Sequence, residues 1–415
     1  MKKKVYFKTF GCRTNLYDSQ VMMGALKEYD ITLNEGDADI VVVNSCTVTN
    51  GADTHVRSYI NQIEKKNDAK IFLTGCGAHT KGESLLQEGK VHGVFGQSEK
   101  LKIDTLLSTK KPFYDAGDLN FIDEAVVDDF VGKSRAFIKV QEGCNFRCSY
   151  CVIPYVRGDA RSMEETKILE QIRRLALNGF GEFILTGTNV GSYGQDSSTS
   201  LAKLMKKISQ IRGVRRIRLG SVEPIQIGDE FKEILDEPWL EKHLHIALQH
   251  TSPTMLKLMN RRNVYKQDRE LFENLASRGF AIGTDFITGH PGENDKLWDE
   301  AMLNARELPL THIHAFTYSK RDGTPSAHMK PEVNGKIAKQ RLHEIESLIK
   351  EKNLEFRKSY KSNLIVLIET KKDGLYHGLD QHFNKIVLES KEDLLGNWIN
   401  VESYESKKDY NYAKL

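Results

Sequence analysis

The sequence predicts an α/β protein built as an N-terminal open parallel α/β domain, a central partial (β/α)6 TIM-type barrel and a small C-terminal β-barrel. Three observations support this fold class: apolar runs that alternate with helical patterns, six strand-like runs in the middle of the chain, and short alternating runs near its end. A chain of 415 residues is also too long for one ordinary core. We place the three domains at residues 1–125, 126–360 and 361–415.

The N-terminal domain is predicted from its alternating pattern. Short apolar runs lie at residues 5–10, 39–43 and 70–74, with helical patterns at 18–29 and 53–65 between them. Such alternation is typical of a parallel sheet with helical crossovers. An acidic, irregular stretch follows at residues 113–134, where we predict a linker. Its acidic residues are Asp115, Asp118, Asp123, Glu124, Asp128 and Asp129.

The central and C-terminal domains are predicted from their strand-like runs. In the centre these lie at residues 135–141, 182–185, 216–220, 243–249, 281–287 and 312–318. Between the first two runs we expect a helix that starts at Ser162, with Glu165 completing a capping box, and ends at Gly179. A barrel of this kind carries its site at the carboxyl ends of its strands. A long helix with Ile345 and Ile349 on one face precedes the short runs of the tail, at 364–368, 385–389 and 398–403.

Composition narrows the class of protein. Hydrophobic residues make up 39% and charged residues 28% of the chain, and the net charge of +3 gives only a weak preference for anionic partners. The basic start is not followed by an apolar signal core, and no apolar run approaches the roughly 18 residues of a spanning helix. We therefore expect a cytoplasmic protein with no membrane partner. Clustered cysteines in that reducing compartment usually bind metal or do chemistry.

Three cysteines form a local C-x3-C-x2-C pattern just after the first predicted barrel strand. Cys144, Cys148 and Cys151 could hold three irons of a four-iron cluster and leave the fourth iron open, whereas the usual four-cysteine ligation leaves none. A zinc knuckle is the alternative, but no fourth Cys or His stands at zinc spacing. We call these three residues the local trio.

The other three cysteines are far apart in sequence, yet each closely follows one of the N-terminal apolar runs. They are Cys12, Cys46 and Cys76, which we call the distant trio. Parallel strands place their carboxyl ends on one edge, so these thiols are expected to converge there as a second metal site. The alternative is three buried cysteines that act as small apolar residues.

The local trio, with Tyr150 before its last cysteine, resembles the radical S-adenosylmethionine signature, in which the open iron binds the methionine end of the cofactor. Both trios together resemble the methylthiotransferase family over nearly the whole chain. The motifs are TFGCRTN at 9–15, NSCTVT at 44–49, TGC at 74–76, EGC at 142–144, IPY at 153–155, GTN at 187–189, SVEP at 221–224 and DFITG at 285–289. Departures occur at QHTS, residues 249–252, at His290, and in the GLDQHF stretch at 378–383, which matches the family's RNA-binding pattern only loosely.

The resemblance implies an enzyme that installs a CH3–S group at an unactivated C–H bond. It implies two [4Fe-4S] clusters, held by the two trios, and S-adenosylmethionine as cofactors. It also implies a radical barrel, a C-terminal RNA-binding β-barrel, a sulfur donor and an electron donor such as flavodoxin or ferredoxin. The residues we expect at the cofactor are Tyr150, Gly187, Thr188, Asn189, Glu223, Gln249, Ile287 and Gly289. For Gly187 to Asn189 the alternative is an ordinary strand-to-loop turn, for Glu223 a salt bridge to a neighbouring Arg, and for Ile287 plain packing.

Three branches of the family differ in substrate: isopentenyladenosine in tRNA, threonylcarbamoyladenosine in tRNA, and an aspartate of a ribosomal protein. Arg13, Asn15 and the CTVT stretch at 46–49 are similar to the threonylcarbamoyladenosine branch. The expected partner is then the anticodon stem-loop of a tRNA, whose bases are already single-stranded. RNA-binding candidates are Arg157, Arg216, Arg218, Arg261 and Lys371, although such residues are more often a solvated face. A hypothesis of another class is an iron–sulfur redox sensor that binds RNA.

Overall fold

The computed structural model describes residues 2–66, 68–123, 125–127, 130 and 134–415, and it confirms the predicted α/β class. An N-terminal parallel sheet is followed by an open barrel and then by a curled mixed sheet. Among the described residues, no helix combines the length and the apolar character that crossing a membrane requires.

The N-terminal sheet has six parallel strands in the order β2-β1-β3-β4-β5-β6. The strands are β1 (Lys4–Thr9), β2 (Asp30–Ile31), β3 (Ile40–Ser45), β4 (Lys70–Gly75), β5 (Gly93–Phe95) and β6 (Phe113–Asp115), and the helices are α1 (Arg13–Ala25), α2 (Asn50–Lys66), α3 (Gly82–Gln87) and α4 (Ile103–Ser108). Every residue of β3 is buried, because alternate side chains enter different cores. Val41 and Val43 belong to one core, and Ile40 and Val42 to the other.

The predicted linker at residues 113–134 is wrong at its start. Residues 113–115 form β6, which pairs in parallel with β5. Asp123 is 5% exposed and belongs to a buried ion-pair network described below, so it is not part of a solvated linker. Glu124, Asp128 and Asp129 lie outside the described residues.

The central domain has six parallel strands around a lumen. Its strands are β7 (Ala136–Glu142), β8 (Arg161–Ser162), β9 (Glu182–Gly187), β10 (Arg216–Leu219), β11 (His243–His245), β12 (Ala281–Thr288) and β13 (His312–Thr317). Its helices are α5 (Ile153–Arg157), α6 (Glu165–Leu177), α7 (Leu201–Ser209), α8 (Asp229–Lys232), α9 (Pro253–Leu258), α10 (Tyr265–Ser277), α11 (Asp295–Glu307) and α12 (Gly335–Ser359). Two ladders, β10-β9-β7-β8 and β11-β12-β13, are joined by parallel bridges from Ile217 to Leu240 and from Val222 to Ile246. The barrel is therefore open between β7 and β13, and only the short β8 is antiparallel.

The predicted helix start at Ser162 is wrong. Helix α6 begins at Glu165, and its N-cap residue Glu164 makes no side-chain cap. Ser162 lies in β8, where its hydroxyl accepts a hydrogen bond from the Gly194 N–H at 2.8 Å and donates one to Asp196. The hydroxyl is thus already engaged across the barrel edge. The predicted end is confirmed, since Gly179 has φ +95° just after the helix.

The C-terminal domain is a curled mixed sheet that forms half of a barrel, with strand order β17-β14-β15-β16-β19-β18. Its strands are β14 (Leu364–Lys372), β15 (Leu375–Leu379), β16 (Lys385–Glu389), β17 (Trp398–Val401), β18 (Glu405–Ser406) and β19 (Asn411–Lys414). The turn after β15 enters the central barrel: the Phe383 ring stacks on His243 with centroids 5.1 Å apart, and the Asp380 carbonyl accepts a hydrogen bond from Arg218. A cavity of about 1110 Å³ lies between this sheet and the open side of the barrel.

Candidate active site

The local trio lies in the loop between β7 and α5, at the carboxyl end of the first barrel strand. Cys144, Cys148 and Cys151 are free thiols, each partly buried. Burial, with a smaller contribution from the nearby Cys148 and Cys144, raises the pKa of Cys151 to about 12. The three thiols are therefore close enough to repel one another as thiolates, which suits a shared positive centre.

Arg261 links the local trio to Glu223. Its side chain is 1% exposed and donates two hydrogen bonds to the Glu223 carboxylate, one of them at 3.0 Å, while Nη1 lies 3.5 Å from the sulfur of Cys148. Burial opposes the charge of Arg261, but Tyr150 and Glu223 raise its pKa. Glu223 therefore makes the salt bridge to an Arg that the sequence offered as the alternative to a cofactor contact.

The end of β9 also meets the local trio. The Asn189 side chain donates to the sulfur of Cys144 at 3.6 Å and accepts from Gln226 at 2.9 Å. Its backbone N–H donates to the Gln141 side chain at 2.8 Å. Gly187 leaves room for that same glutamine, because a Cβ at Gly187 would lie 2.9 Å from its amide oxygen. Thr188, between Gly187 and Asn189 in the chain, is half-buried.

The remaining expected cofactor residues lie on neighbouring strands at the same end of the barrel. Gln249 has φ +70°, and its carbonyl accepts from the Ile287 N–H at 2.8 Å. The Gly289 N–H donates to Glu293 at 2.9 Å, and a Cβ there would lie 2.4 Å from Ala338 on α12. Ile287 is buried. His290, where the family pattern is broken, is fully buried and shares a 2.7 Å hydrogen bond with Ser326, so it is a satisfied core histidine.

Tyr150 is partly buried on the barrel side of the local trio. Its ring meets that of His290 edge-on, with centroids 6.4 Å apart. Burial raises the pKa of its hydroxyl well above the ordinary value, so the phenol stays neutral.

The distant trio is brought together by the parallel sheet. Cys12 follows β1, Cys46 follows β3 and Cys76 follows β4, and these three strands are adjacent. A Cβ at Gly11 would lie 2.9 Å from the sulfur of Cys46. Burial, with smaller contributions from Cys76 and Cys12, raises the pKa of the Cys46 thiol to about 11. These three thiols therefore lie at one edge of the sheet, as the sequence predicts.

The two trios face each other across α5. Cys76 packs in one apolar cluster with Val152 and Val156, which directly follow the local trio. Arg157, at the end of α5, donates from Nε to the sulfur of Cys76 at 3.2 Å. The same guanidinium donates to the side chain of Asn15, three residues after Cys12. One arginine from the barrel thus holds two segments of the distant trio.

A buried ion-pair network fixes this junction. Lys139 on β7 lies 2.8 Å from Asp18 on α1 and 3.0 Å from Glu142, and Arg157 lies 3.0 Å from the same aspartate. Lys100 lies 2.9 Å from Asp18, and both Lys100 and Lys139 also contact Asp123. Three carboxylates and three cations balance, which is what buried charges require.

The lumen below the local trio is lined by polar side chains. Along the strands they alternate with apolar residues such as Ile138, Phe183, Ile217, Leu244 and Ile282, which pack against the helices in the main core. The inward set is Lys139 and Gln141 on β7, Glu182 on β9, Arg216 and Arg218 on β10, His243 and His245 on β11, Asp285 on β12, and His312 and His314 on β13. Sequence reasoning missed this surface, although the alternation of polar and apolar residues in these runs was a signal for it.

Arg13 enters the lumen from the N-terminal domain. Its guanidinium lies over the Phe383 ring at 5.8 Å, and burial lowers its pKa while Glu241 raises it. Within the described part of the chain it forms no hydrogen bond or ion pair. A partly buried cation next to Cys12 therefore remains available to a ligand.

Four of the five RNA-binding candidates lie in buried ion pairs and not on a solvated face. Arg157, Arg216 and Arg218 are 3%, 5% and 1% exposed, and Arg261 is held at Glu223. Arg216 and Arg218 pair with Glu182, and Arg218 also pairs with Glu241. Buried, neutralised guanidinium groups cannot contact phosphates. Only Lys371 of this set is exposed, on β14, where it donates to the Tyr376 hydroxyl at 2.8 Å.

The residues fit the iron–sulfur clusters that the sequence implies. All six cysteines are free, and each trio consists of thiols from converging segments. Hydrogen-bond donors reach cluster-facing sulfurs in both trios: Arg157 at Cys76, Arg261 at Cys148 and Asn189 at Cys144. Such donors stabilise thiolates that ligate iron. All six cysteines belong to the two trios, so no fourth cysteine is available to ligate the fourth iron of either cluster.

Comparison with known proteins agrees with this site. Residues 4–96 match the uncharacterised protein family UPF0004, and residues 138–304 match the radical SAM superfamily. A Helicobacter pylori protein, provisionally named a methylthiotransferase, is 53% identical over 99% of both chains. The threonylcarbamoyladenosine tRNA methylthiotransferase MtaB of Bacillus subtilis is 32% identical over 99% of this chain and 96% of its own length.

Among solved structures, the fold is similar to TsrM from Kitasatospora setae, a radical S-adenosylmethionine methyltransferase. The TM-score is 0.61 at 16% identity, over 79% of this chain and 77% of that one. This likeness concerns the fold alone. The relatives cover the whole chain, including both trios, and place it in the radical S-adenosylmethionine methylthiotransferase family.

Proposed function

We propose that this enzyme adds the methylthio group to C2 of N6-threonylcarbamoyladenosine beside the anticodon of a tRNA. The observation that carries the proposal is the polar lumen, together with the unpaired Arg13 that enters it next to Cys12. The threonylcarbamoyl group brings a carboxylate and a hydroxyl to the site. A guanidinium is well suited to a carboxylate because it can bind both oxygens at once.

The lumen is poorly suited to the isopentenyl group of the alternative tRNA substrate. An apolar chain would cover His245, Asp285 and Arg13 without giving them hydrogen-bond partners. Burying polar groups in that way costs about 1–3 kcal/mol for each group. Sequence identity does not separate the two, since a tRNA-2-methylthio-N(6)-dimethylallyladenosine synthase of Fervidobacterium nodosum is also 32% identical. The chemistry of the lumen favours the threonylcarbamoyl substrate.

The proposed roles of the cysteines and their neighbours follow from the geometry. When bound, two [4Fe-4S] clusters and S-adenosylmethionine would supply the radical, sulfur and methyl group of the reaction. Cys144, Cys148 and Cys151 would hold one cluster, and the distant trio the other. Arg157 would help to hold the two trios in a fixed relative position, because it contacts Cys76 and the buried ion-pair network at the same time.

The residues around the local trio would receive the cofactor. Asn189 and Glu223 are oriented by hydrogen bonds from Gln226 and Arg261, so neither needs to reorganise on binding. Gly187, Thr188, Gln249, Ile287 and Gly289 lie at the same end of the barrel, and Tyr150 borders it. We assign these residues to cofactor contact. A sulfur donor, an electron donor such as flavodoxin or ferredoxin, and a cytoplasmic location belong to the same proposal.

The proposal is tested by mass spectrometry of tRNA nucleosides from cells that lack the protein and from the same cells carrying wild-type, Arg13→Lys or Arg13→Gln protein. The 2-methylthio derivative of threonylcarbamoyladenosine should disappear in the deletion and return with wild type. Arg13→Gln should restore about a tenth or less, since a lost charged hydrogen bond costs about 1.5–3 kcal/mol, and Arg13→Lys an intermediate amount. An unchanged nucleoside in the deletion refutes this substrate. A lost isopentenyl derivative or an unmodified ribosomal aspartate would then identify the other branch.

A further inference from the structure

Three side chains on adjacent strands of the barrel converge at one point in the lumen. They are His245 on β11, Asp285 on β12 and His314 on β13, and all three occupy inward positions. One ligand atom from each lies within 4.8 Å of the others. Asp285 is paired directly with His314 in the β12–β13 ladder, which brings the two side chains onto the same face.

The contacts within this group differ from those of an ordinary hydrogen-bonded triad. His245 Nε2 lies 3.1 Å from Asp285 Oδ1, and His314 Nδ1 lies 3.6 Å from the same oxygen. Nevertheless His245 Nε2 is buried and has no hydrogen-bond partner among the described residues. The nitrogen lies near the carboxylate without pointing its lone pair or N–H along the line that joins them. The nitrogen is therefore available to a ligand.

Among the described residues, Asp285 lies next to histidines but forms no pair with a stronger base. Its ion-pair partners among the described residues are His245 and His314, with no Lys or Arg. A largely buried carboxylate without a Lys or Arg partner is a suitable ligand for a cation.

We infer that His245, Asp285 and His314 form a binding site for one divalent transition-metal ion in the lumen. Two imidazole nitrogens and one carboxylate oxygen are the ligands that zinc, ferrous iron and similar ions prefer. With bonds of about 2.0–2.1 Å in tetrahedral geometry, two ligand atoms lie about 3.3 Å apart. The contacts of 3.1 Å and 3.6 Å bracket that value.

The site is accessible, and none of its three residues belongs to either cysteine trio. The His314 side chain is 59% exposed toward the lumen, so it can rotate to close the set and an ion can enter. Asp285 lies two residues before Ile287 on the same face of β12, one step deeper in the lumen than the cofactor region. With three protein ligands, the ion keeps at least one position open for water or for an oxygen of a molecule in the lumen.

The test uses the holoenzyme with both clusters loaded. Wild-type, His314→Ala, Asp285→Asn and His343→Ala proteins are equilibrated with zinc in the presence of a weak chelator, desalted, and analysed for zinc and iron by mass spectrometry. His343 is the control, because its side chain is 77% exposed and lies on α12 outside the lumen. Iron content and the thermal midpoint report whether a variant keeps its clusters and its fold. His314→Ala is the variant expected to fold normally, since its side chain is largely exposed.

One zinc ion per chain is expected in wild type and in His343→Ala at unchanged iron. His314→Ala and Asp285→Asn should bind zinc more weakly by more than about 100-fold, since the loss of even a residue that only hydrogen-bonds to a metal ligand costs about 10–100-fold. Equal zinc in all four proteins would place the ion elsewhere and overturn the inference, as would wild type that retains none. Because the measurement contains no RNA, its outcome is independent of the proposed tRNA substrate.

Discussion

The two cysteine trios offer the same set of three free thiols but are built in opposite ways. Cys144, Cys148 and Cys151 come from one loop of eight residues, and their spacing alone brings them together. Cys12 and Cys46 are separated by 33 residues and Cys46 and Cys76 by 29, and only the parallel sheet brings them together. The local trio therefore depends on its loop, and the distant trio depends on the fold of a whole domain.

This contrast also determines how each trio is supported. The local trio receives donors from its own domain, Arg261 and Asn189. The distant trio receives Arg157 from the neighbouring barrel. The distant trio should thus be sensitive to the domain junction, whereas the local trio should not.

The largest effect is expected from removing the trios separately. Replacing Cys12, Cys46 and Cys76 with Ala should halve the iron content, abolish methylthio transfer and leave the reductive release of 5′-deoxyadenosine from S-adenosylmethionine. Replacing Cys144, Cys148 and Cys151 should also halve the iron content but abolish both activities. Iron analysis and chromatography of the nucleoside products measure these outcomes. Unchanged iron in the first variant would refute the second cluster, and a sensor that never cleaves the cofactor would give no 5′-deoxyadenosine in wild type.

The next effect concerns Asp18, which joins the two regions. Asp18→Asn leaves Lys100 and Lys139 short of counter-charge in a buried site, and breaking such a pair costs about 3–5 kcal/mol. Burial opposes the charge of Asp18, but Lys100 and Lys139 lower its pKa. A lowered carboxyl pKa stabilises the fold fully above the ordinary value of about 4, and this stability is lost as the pH falls below it.

Chemical denaturation at several pH values tests this prediction. Wild type should lose stability below about pH 4, and the difference between wild type and Asp18→Asn should shrink over the same range, because Asp18 takes up a proton in the unfolded chain while its lowered pKa keeps it ionised in the folded protein. Asp229→Asn is the matched control, because that side chain is fully exposed and its replacement should leave the curve unchanged. A constant difference at all pH values would show that Asp18 does not act through its charge.

How much of this could be predicted from sequence differs between the two regions. The spacing of the local trio identified its chemistry directly, and the position of the distant cysteines after apolar runs predicted their convergence. Arg157 could not be predicted as the link, because an arginine in a loop is usually solvated, and its burial depends on Asp18 and Glu142 from two different domains. The burial of Arg216 and Arg218 could not be predicted for the same reason, since Glu182 and Glu241, which neutralise them, are distant in sequence.

A smaller effect is expected at the strand end that positions the distant trio. Gly75, the residue before Cys76, has φ +87°. A Cβ at this position would lie 2.4 Å from the carbonyl oxygen of Ser45, the residue before Cys46. Gly75→Ala should cost about 2–4 kcal/mol from backbone strain and overlap. Gly89→Ala is the control, because Gly89 has φ +70° but open space around it. Only Gly75→Ala should lose iron, and only from the distant trio, so 5′-deoxyadenosine release should persist. Equal iron loss in both variants would show that the strain of the positive φ, and not the overlap with Ser45, causes the loss.

The smallest expected effect distinguishes the donors of the two trios. Arg157→Lys keeps the positive charge next to Asp18 but removes the N–H that donates to Cys76, and Arg261→Lys removes the donor to Cys148. A hydrogen bond to a charged acceptor contributes about 1.5–3 kcal/mol, and donors to cluster sulfurs stabilise the reduced state. Each variant should therefore shift the reduction potential of one cluster, and only that cluster, to a more negative value.

Redox titration followed by electron paramagnetic resonance measures both potentials, with each trio's cysteine-to-alanine variant used to assign the signals. Arg157→Lys should move the signal of the distant trio, and Arg261→Lys that of the local trio. If Arg157→Lys moved both signals equally, the arginine would act through the shared ion-pair network rather than through its bond to Cys76. The dependence of the distant trio on a neighbouring domain would then be electrostatic, with Asp18 and Glu142 as its carriers.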